Sequence, residues 1–172
     1  MPSIRFATDD DLDLLEGIEN EADELFIERF RPERWGRAST GRLRAAQPGF
    51  LLVAAESDGG EAVGFAHVLE VDGGAHLEQL AVRPATGRRG HGSALVRAAL
   101  EEAARRGHDR VTLRTYADVP WNAPFYARLG FVESEPETDF LRALVTVETD
   151  LGLERYGRRV QLSADSAVLG PR

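Results

Sequence analysis

The chain has 172 residues, 42% of them hydrophobic and 29% charged, a balance that fits a globular fold and excludes a disordered chain. Its formal net charge of -8 argues against nucleic acid as a main partner, because neutralising phosphates needs a basic face. With no cysteine, disulfides, thiolate zinc sites and cysteine nucleophiles are excluded, and the four histidines show no metal-ligand spacing.

There is no apolar run of about 18 residues, so no membrane span is expected. The start, MPSIRFATDDDLDLL, has acids where a secretory leader would carry basic residues and then an apolar core. A cytoplasmic location is the expectation. One domain is expected over residues 1–164, with 165–172 a disordered tail.

In chain order, Ile4 to Ala7 reads as a strand, and Thr8 or Asp9 caps a helix with Leu12, Leu15, Ile18 and Ala22 on one stripe. A separate helical piece is expected over 22–30, ended near Pro32, then a loop over 31–39 and a short helix over 40–47. Phe50 to Ala55 and Ala62 to Val71 read as strands. Asp72-Gly73-Gly74 has hairpin-turn chemistry, and His76 to Val82 is the return strand. Gly92 to Arg106 reads as a helix with Leu95, Val96, Ala99, Leu100 and Ala103 on one face and Gly107 as its stop. Val111 to Thr115 is a strand, Asn122 to Leu129 a short helix, Phe131-Val132 another strand, 138–151 a helix, and Arg159 to Leu162 a last strand. The order predicts an α/β (α+β) fold with a mixed, mostly antiparallel sheet of six to seven strands flanked by helices.

The segment Gly87-Arg88-Arg89-Gly90-His91-Gly92 sits between a strand and a helix. There it is either a tight solvated turn or an anion site. In the second case successive amides and the helix dipole face one ligand, Gly90 and Gly92 permit close approach, and Arg88 and Arg89 add charge at the rim. It lacks the GK[ST] of a Walker loop and is no G-x-G-x-x-G fingerprint.

Residues 77–95, LEQLAVRPATGRRGHGSAL, resemble the core motif of the GNAT family of N-acetyltransferases: a strand ending in a V-x-P-like step, then Q/R-x-x-G-x-G/A, then a helix. Gly87 stands where that motif has Q or R. Asn122-Ala123-Pro124-Phe125-Tyr126-Ala127-Arg128-Leu129-Gly130-Phe131 resembles the family's N-x-x-x-x-Y-x-x-x-G-F segment. The resemblance covers about residues 4–135.

The resemblance implies acetyl-CoA as donor, no metal, and a primary amine on a small molecule or peptide as acceptor. It implies that the amides from Arg88 to Ser93 hold the pyrophosphate. Leu80, Ala81 and Val82 would pair with the pantetheine arm, Asn122, beside Phe125, would contact it, and the Val82 amide would face the thioester oxygen. Tyr126 matches the family's general acid, a phenol suited to protonating a thiolate. Glu78 is the first choice of base and His76 the second. Alternation puts His76, Glu78, Leu80 and Val82 on one face. An unbroken two-residue hairpin would set His67 opposite Glu78. His91 reads as a spacer and His108 as a surface residue. Phe26, Phe30, Trp35, Tyr116 and Trp121 are candidate acceptor walls, with core packing the alternative for the phenylalanines. An N-acetyltransferase is one reading. A non-catalytic acyl-CoA-binding module of the same fold is the other, and a homodimer is compatible with both.

Overall fold

A computed structural model describes residues 2–166. Seven strands form one sheet in the order β1-β2-β3-β4-β5-β7-β6. They are β1 (Ser3–Phe6), β2 (Gly49–Ala55), β3 (Ala62–Val71), β4 (Gly74–Val82), β5 (Arg110–Tyr116), β6 (Val132–Glu133) and β7 (Arg159–Asp165). The helices are α1 (Asp9–Phe30), α2 (Gly41–Ala45), α3 (His91–Arg105), α4 (Ala123–Ala127) and α5 (Asp139–Asp150). β4 and β5 run parallel, with Ala75 opposite Val111 and His76 opposite Thr112. The pairs β1–β2, β2–β3, β5–β7 and β6–β7 are antiparallel. The mixed sheet with helices is the architecture expected from the element order.

The chain divides into two compact units. The first is residues up to Leu69 together with Leu77–Ala99, and the second is Glu70–His76 together with the chain from Leu100 onward.

In the first unit, α1 starts where the sequence places it. The Thr8 N–H donates to the Asp11 carboxylate at 2.7 Å, and Arg5 holds that carboxylate at 2.5 Å. The expected break near residue 22 does not occur, and α1 runs unbroken to Phe30. No glycine or proline lies between Ile18 and Phe30, so nothing local stops the helix there. Leu12, Leu15 and Ile18 pack on Leu51 and Val53 of β2, Phe65 of β3 and Ala81 of β4. Each such aliphatic burial is worth about 1.5–3 kcal/mol. α2 begins at a Thr40 cap, whose hydroxyl accepts from the Leu43 N–H at 3.2 Å.

Asp72 and Gly73 both have positive φ, so the β3–β4 hairpin turns on two residues as predicted. Counted from that turn, Gly64 would face Ala81. Instead a Cβ on Gly64 would lie 3.3 Å from the Val82 Cα, and the Arg83 N–H donates to the Val63 carbonyl at 2.8 Å. One extra residue is therefore accommodated in β4, a bulge. It corrects the expected alternation. Ala81 packs on the α1 side, and Glu78 acts electrostatically on Glu19 of α1, so Leu80 and Val82 alternate away from the face that Glu78 serves.

In the second unit, β7 extends past Leu162 to Asp165, which pairs with Arg110. Ser166 is buried, and its N–H donates to the Asp109 carbonyl at 2.9 Å. Residues 165 and 166 are thus ordered rather than part of a loose tail, and 167–172 lie outside the described residues. The helix over 138–151 is found as α5, whose Thr138 hydroxyl caps the Leu141 N–H at 3.2 Å.

α2 sits against α1 through Gly41, where an added Cβ would come within 2.1 Å of the Leu12 carbonyl oxygen. Gly41→Ala should therefore destabilise the protein by about 1–3 kcal/mol, the range for overpacking a tight contact. A thermal melt should show the midpoint falling by about 2–4 °C per kcal/mol. An unchanged melt would contradict that contact.

Candidate functional site

The candidate residues fall into both units. In the first unit, β4 leads through a 3₁₀ turn (Pro84–Thr86) into the glycine loop and α3. Arg88 and Gly90 both have positive φ, at 63° and 82°. The first intrahelical bond of α3 runs from the Ala94 N–H to the Gly90 carbonyl at 3.0 Å. The N–H groups of His91, Gly92 and Ser93 therefore have no acceptor within the helix and form the start of its dipole. Gly87 donates its N–H to Pro84 at 3.1 Å, and a Cβ there would lie 3.1 Å from that same carbonyl oxygen. The turn is thus tight at the position where the family motif has a long side chain.

Two loop side chains have notable surroundings. Arg89 forms an ion pair with Glu56. His91 is 3% exposed, and neither ring nitrogen has a hydrogen-bond partner among the described residues. A plain spacer would not be expected to bury two such polar atoms.

Between α1, α2 and β3 lies a buried polar cluster that the motifs do not announce. Arg44 of α2 donates to Glu19 of α1 at 2.6 Å and to the His67 Nδ1 on β3 at 3.1 Å, and its guanidinium sits 5.5 Å from the Phe65 ring centre. Arginine only donates, so Nδ1 of His67 accepts and its proton is on Nε2. That Nε2 and the Arg44 Nε are buried with no partner among the described residues. Burial pushes the Glu19 carboxyl up to about 7, and the negative charges of Asp23 and Glu78 add to this while Arg44 opposes it. Burial and then Arg44 push His67 down to about 4, so it stays neutral near pH 7. His67 thus belongs to Arg44 rather than to a pair with Glu78.

Beside this cluster, Phe26 stacks on Trp35 with ring centres 6.3 Å apart, and the Trp35 Nε1–H donates to Asp23 at 3.0 Å. Phe30 packs on Phe26 at 5.9 Å. These expected wall residues form one aromatic and acidic surface on and after α1.

The second unit holds Asn122, Phe125, Tyr126 and His76. Tyr126 is on α4 between the Phe125 and Phe131 rings, 5.0 and 5.5 Å away, and burial pushes its phenol up. It therefore keeps its proton at neutral pH. Asn122 accepts from the Thr115 hydroxyl through Oδ1, and its Nδ2 is buried without a partner among the described residues. His76 bonds Thr112 through Nδ1 at 2.8 Å and meets the edge of Phe140 at 5.4 Å. Burial, and after it the charge of Arg114, pushes His76 down to about 4. A group that gives up its proton so readily is the weaker of the two base candidates.

Tyr116, an expected wall, donates to the Leu153 carbonyl at 3.1 Å under the Arg159 guanidinium. Arg159 and Arg114 share Glu148 at 3.0 and 2.8 Å, so Tyr116 serves a structural network. His108 pairs with Glu70 at 2.8 Å.

A family model described as the acetyltransferase (GNAT) family matches residues 15–131. The chain belongs to that family. The mycothiol acetyltransferase of Clavibacter sepedonicus is 41% identical over 119 residues, which is 65% of this chain and 38% of that relative. The chain thus spans well under half the length of the curated relatives it matches. Among solved structures, the ribosomal-protein-S18-alanine N-acetyltransferase of Escherichia coli aligns over 100% of this chain and 98% of its own at a TM-score of 0.67 and 21% identity. The PaiA N-acetyltransferase of Thermoplasma acidophilum, in complex with coenzyme A, aligns over 96% of this chain and 99% of its own at a TM-score of 0.66 and 16% identity. At those identities both likenesses establish the GNAT fold. Among the described residues no helix is long and apolar enough to cross a membrane, and no group of three or more His, Asp or Glu is placed to hold a metal.

The glycine loop follows directly from its motif, while the buried Glu19–Arg44 pair escaped sequence reasoning. They lie 25 positions apart with no shared motif, and only the packing of α2 on α1 joins them. Since the folded-state value of Glu19 lies above its ordinary 4.5, folding takes up a proton between about pH 4.5 and 7. Its contribution to stability is full below pH 4.5 and is lost as pH rises towards 7. The melting midpoint of the native protein relative to Glu19→Gln should therefore fall across that window. A constant difference would contradict the raised carboxyl.

Proposed function

We propose that this GNAT chain is an acetyltransferase that moves the acetyl group of acetyl-CoA to a primary amine. The observation that carries the reading is the turn into α3, where the amides of His91, Gly92 and Ser93 have no acceptor within the helix and follow a glycine loop at its positive end. An anionic pyrophosphate is the group such a terminus favours. The residues fit coenzyme A on further grounds: the Asn122 Nδ2 is a buried donor without a partner among the described residues, as is expected of a group that meets a pantetheine carbonyl.

In this reading the loop from Gly87 to Ser93 holds the pyrophosphate, with Arg88 adding charge. The backbone of Leu80, Ala81 and Val82 pairs with the pantetheine arm, and the arm is also the partner of Asn122 and Phe125. Acetyl-CoA supplies an activated thioester. Glu78, at an exposed position of β4, takes the ammonium proton directly or through a water. Tyr126, kept protonated by burial, gives its proton to the departing thiolate. His76 takes no proton. The acceptor is a small-molecule amine or a peptide, and its identity does not transfer from the longer mycothiol acetyltransferases. A cytoplasmic setting suits a chain without cysteine that uses this donor.

Calorimetric titration with acetyl-CoA, with ATP and NAD as controls, tests the donor. Micromolar binding of acetyl-CoA alone is expected, and its absence would overturn the reading. Against an amine library, Tyr126→Phe should lower kcat by about 10²–10⁴-fold while binding acetyl-CoA as before. A protein that binds acetyl-CoA but turns over no amine would instead be the non-catalytic module.

A further inference from the structure

In the second unit, Arg114 and Tyr116 alternate onto one face of β5, and Arg159 of β7, which pairs with Tyr116, shares that face. α5 sets Glu148 against it. The Glu148 Oε1 accepts from the Arg159 Nε at 3.0 Å, and its Oε2 accepts from the Arg159 Nη2 at 3.0 Å. Those two parallel bonds complete a fork-to-fork ion pair that is neutral as a unit. Arg114 receives only a share of the same carboxylate, because its Nε donates to the already occupied Oε2 at 2.8 Å. Its Nη1 and Nη2, the two donors at the far end of the guanidinium, have no acceptor among the described residues. The Arg114 side chain is 10% exposed. The buried side-chain atoms that lack a partner include neither of these nitrogens, so the tenth that solvent reaches lies at that end. None of the roles assigned above uses it.

The groups around Arg114 do not neutralise it. Burial would raise the Glu148 carboxyl, but the hydrogen bonds from Arg159 and Arg114 hold it below its ordinary value. It is therefore ionised and sets one negative charge against two guanidiniums. Burial, and then the charge of Arg114, keep His76 neutral at pH 7. Tyr116 lies under Arg159, with its ring centre 4.5 Å from that guanidinium, and donates its hydroxyl proton to Leu153. Arg155 also acts on Tyr116, and stands 5.0 Å from the Tyr156 ring centre. A cation so far out of water is stabilised by a partner of opposite charge. The free end of Arg114 offers two coplanar N–H donors, spaced for the two oxygens of one carboxylate. A single positive charge matches a singly charged group, whereas a phosphate dianion would bring surplus charge beside Glu148.

We propose that the outer fork of Arg114 binds the carboxylate of a small organic acid, held end-on by Nη1 and Nη2 beside the stacked Arg159 and Tyr116.

Amide NMR titration of the whole chain with succinate, without acetyl-CoA, should show saturable shifts centred on Arg114, Thr115, Tyr116 and Arg159. Succinamide, its neutral counterpart, should not shift them, and inorganic phosphate should shift them less than succinate does. Arg114→Lys keeps the charge but loses the fork, and should weaken succinate binding by about tenfold or more. Arg110→Lys, at an exposed position of the same strand, should leave binding unchanged. Undiminished binding by Arg114→Lys, phosphate shifting these residues as strongly as succinate, or succinate shifts confined to the turn into α3 would each overturn the proposal. The shift map is read on the native protein, so it decides the matter even if a variant fails to fold. The result is independent of acetyl transfer, because no acyl donor is present. Adding acetyl-CoA and an amino acid that binds at this fork separates the two sources of such a carboxylate: an acetylated amino acid in the mass spectrum marks it as the acceptor's, and an unmodified one marks a separate ligand.

Discussion

A guanidinium buried in the first unit, that of Arg44, sets conditions that its surroundings must meet. Its side chain is 8% exposed, and a charge so far from water is tolerated only when paired and hydrogen-bonded. Glu19 and His67 supply those bonds, and Phe65 supplies a ring face. To bring Arg44 within reach, α2 must lie directly on α1. That explains why the helix opens at a capped Thr40 and meets α1 with a residue that has no side chain. The pair does not make the surroundings neutral. With Asp23 and Glu78 close by, the carboxylates outnumber the one guanidinium, and Glu19 is held near the middle of the physiological pH range.

The turn into α3 works by the opposite electrostatics. It gathers the partial positive charge of backbone amides with little help from side chains, because Arg89 is turned to Glu56. Positive charge gathered from backbone amides depends on loop conformation more than on residue identity. This is a physical reason for the motif's leading Q or R to be replaceable by Gly87, where the tight approach to Pro84 leaves little room for a side chain. Tyr126 and Asn122 are tuned by burial. One is a phenol that holds its proton, and the other an amide whose carbonyl end is occupied and whose NH2 end is available.

What could be read from the sequence was whatever depends on near neighbours in the chain. The Thr8 cap, the Asp72-Gly73 turn, the Leu95 to Ala103 stripe, and the glycine loop opening a helix all rest on spacings of a few residues, and periodicity and turn chemistry express them directly. The stripe on α1 was equally legible, but its expected break was not real, since nothing in the chain opposed continuation. The two motif segments were enough to point to the family, because each couples a chemical requirement to a local shape.

The tertiary structure decided everything that depends on long-range register or burial. The extra residue in β4 changes which side chains share the face of Glu78, and no residue type marks its position. Burial made His76 and His67 weakly basic and Glu19 weakly acidic, reordering the candidates for proton transfer. Arg44 gained its importance from partners 23 and 25 positions away. Local sequence sets backbone preference, which neighbouring residues supply. The free energy of a charge or an unpaired amide depends on solvent exclusion and on partners that only the folded chain brings together.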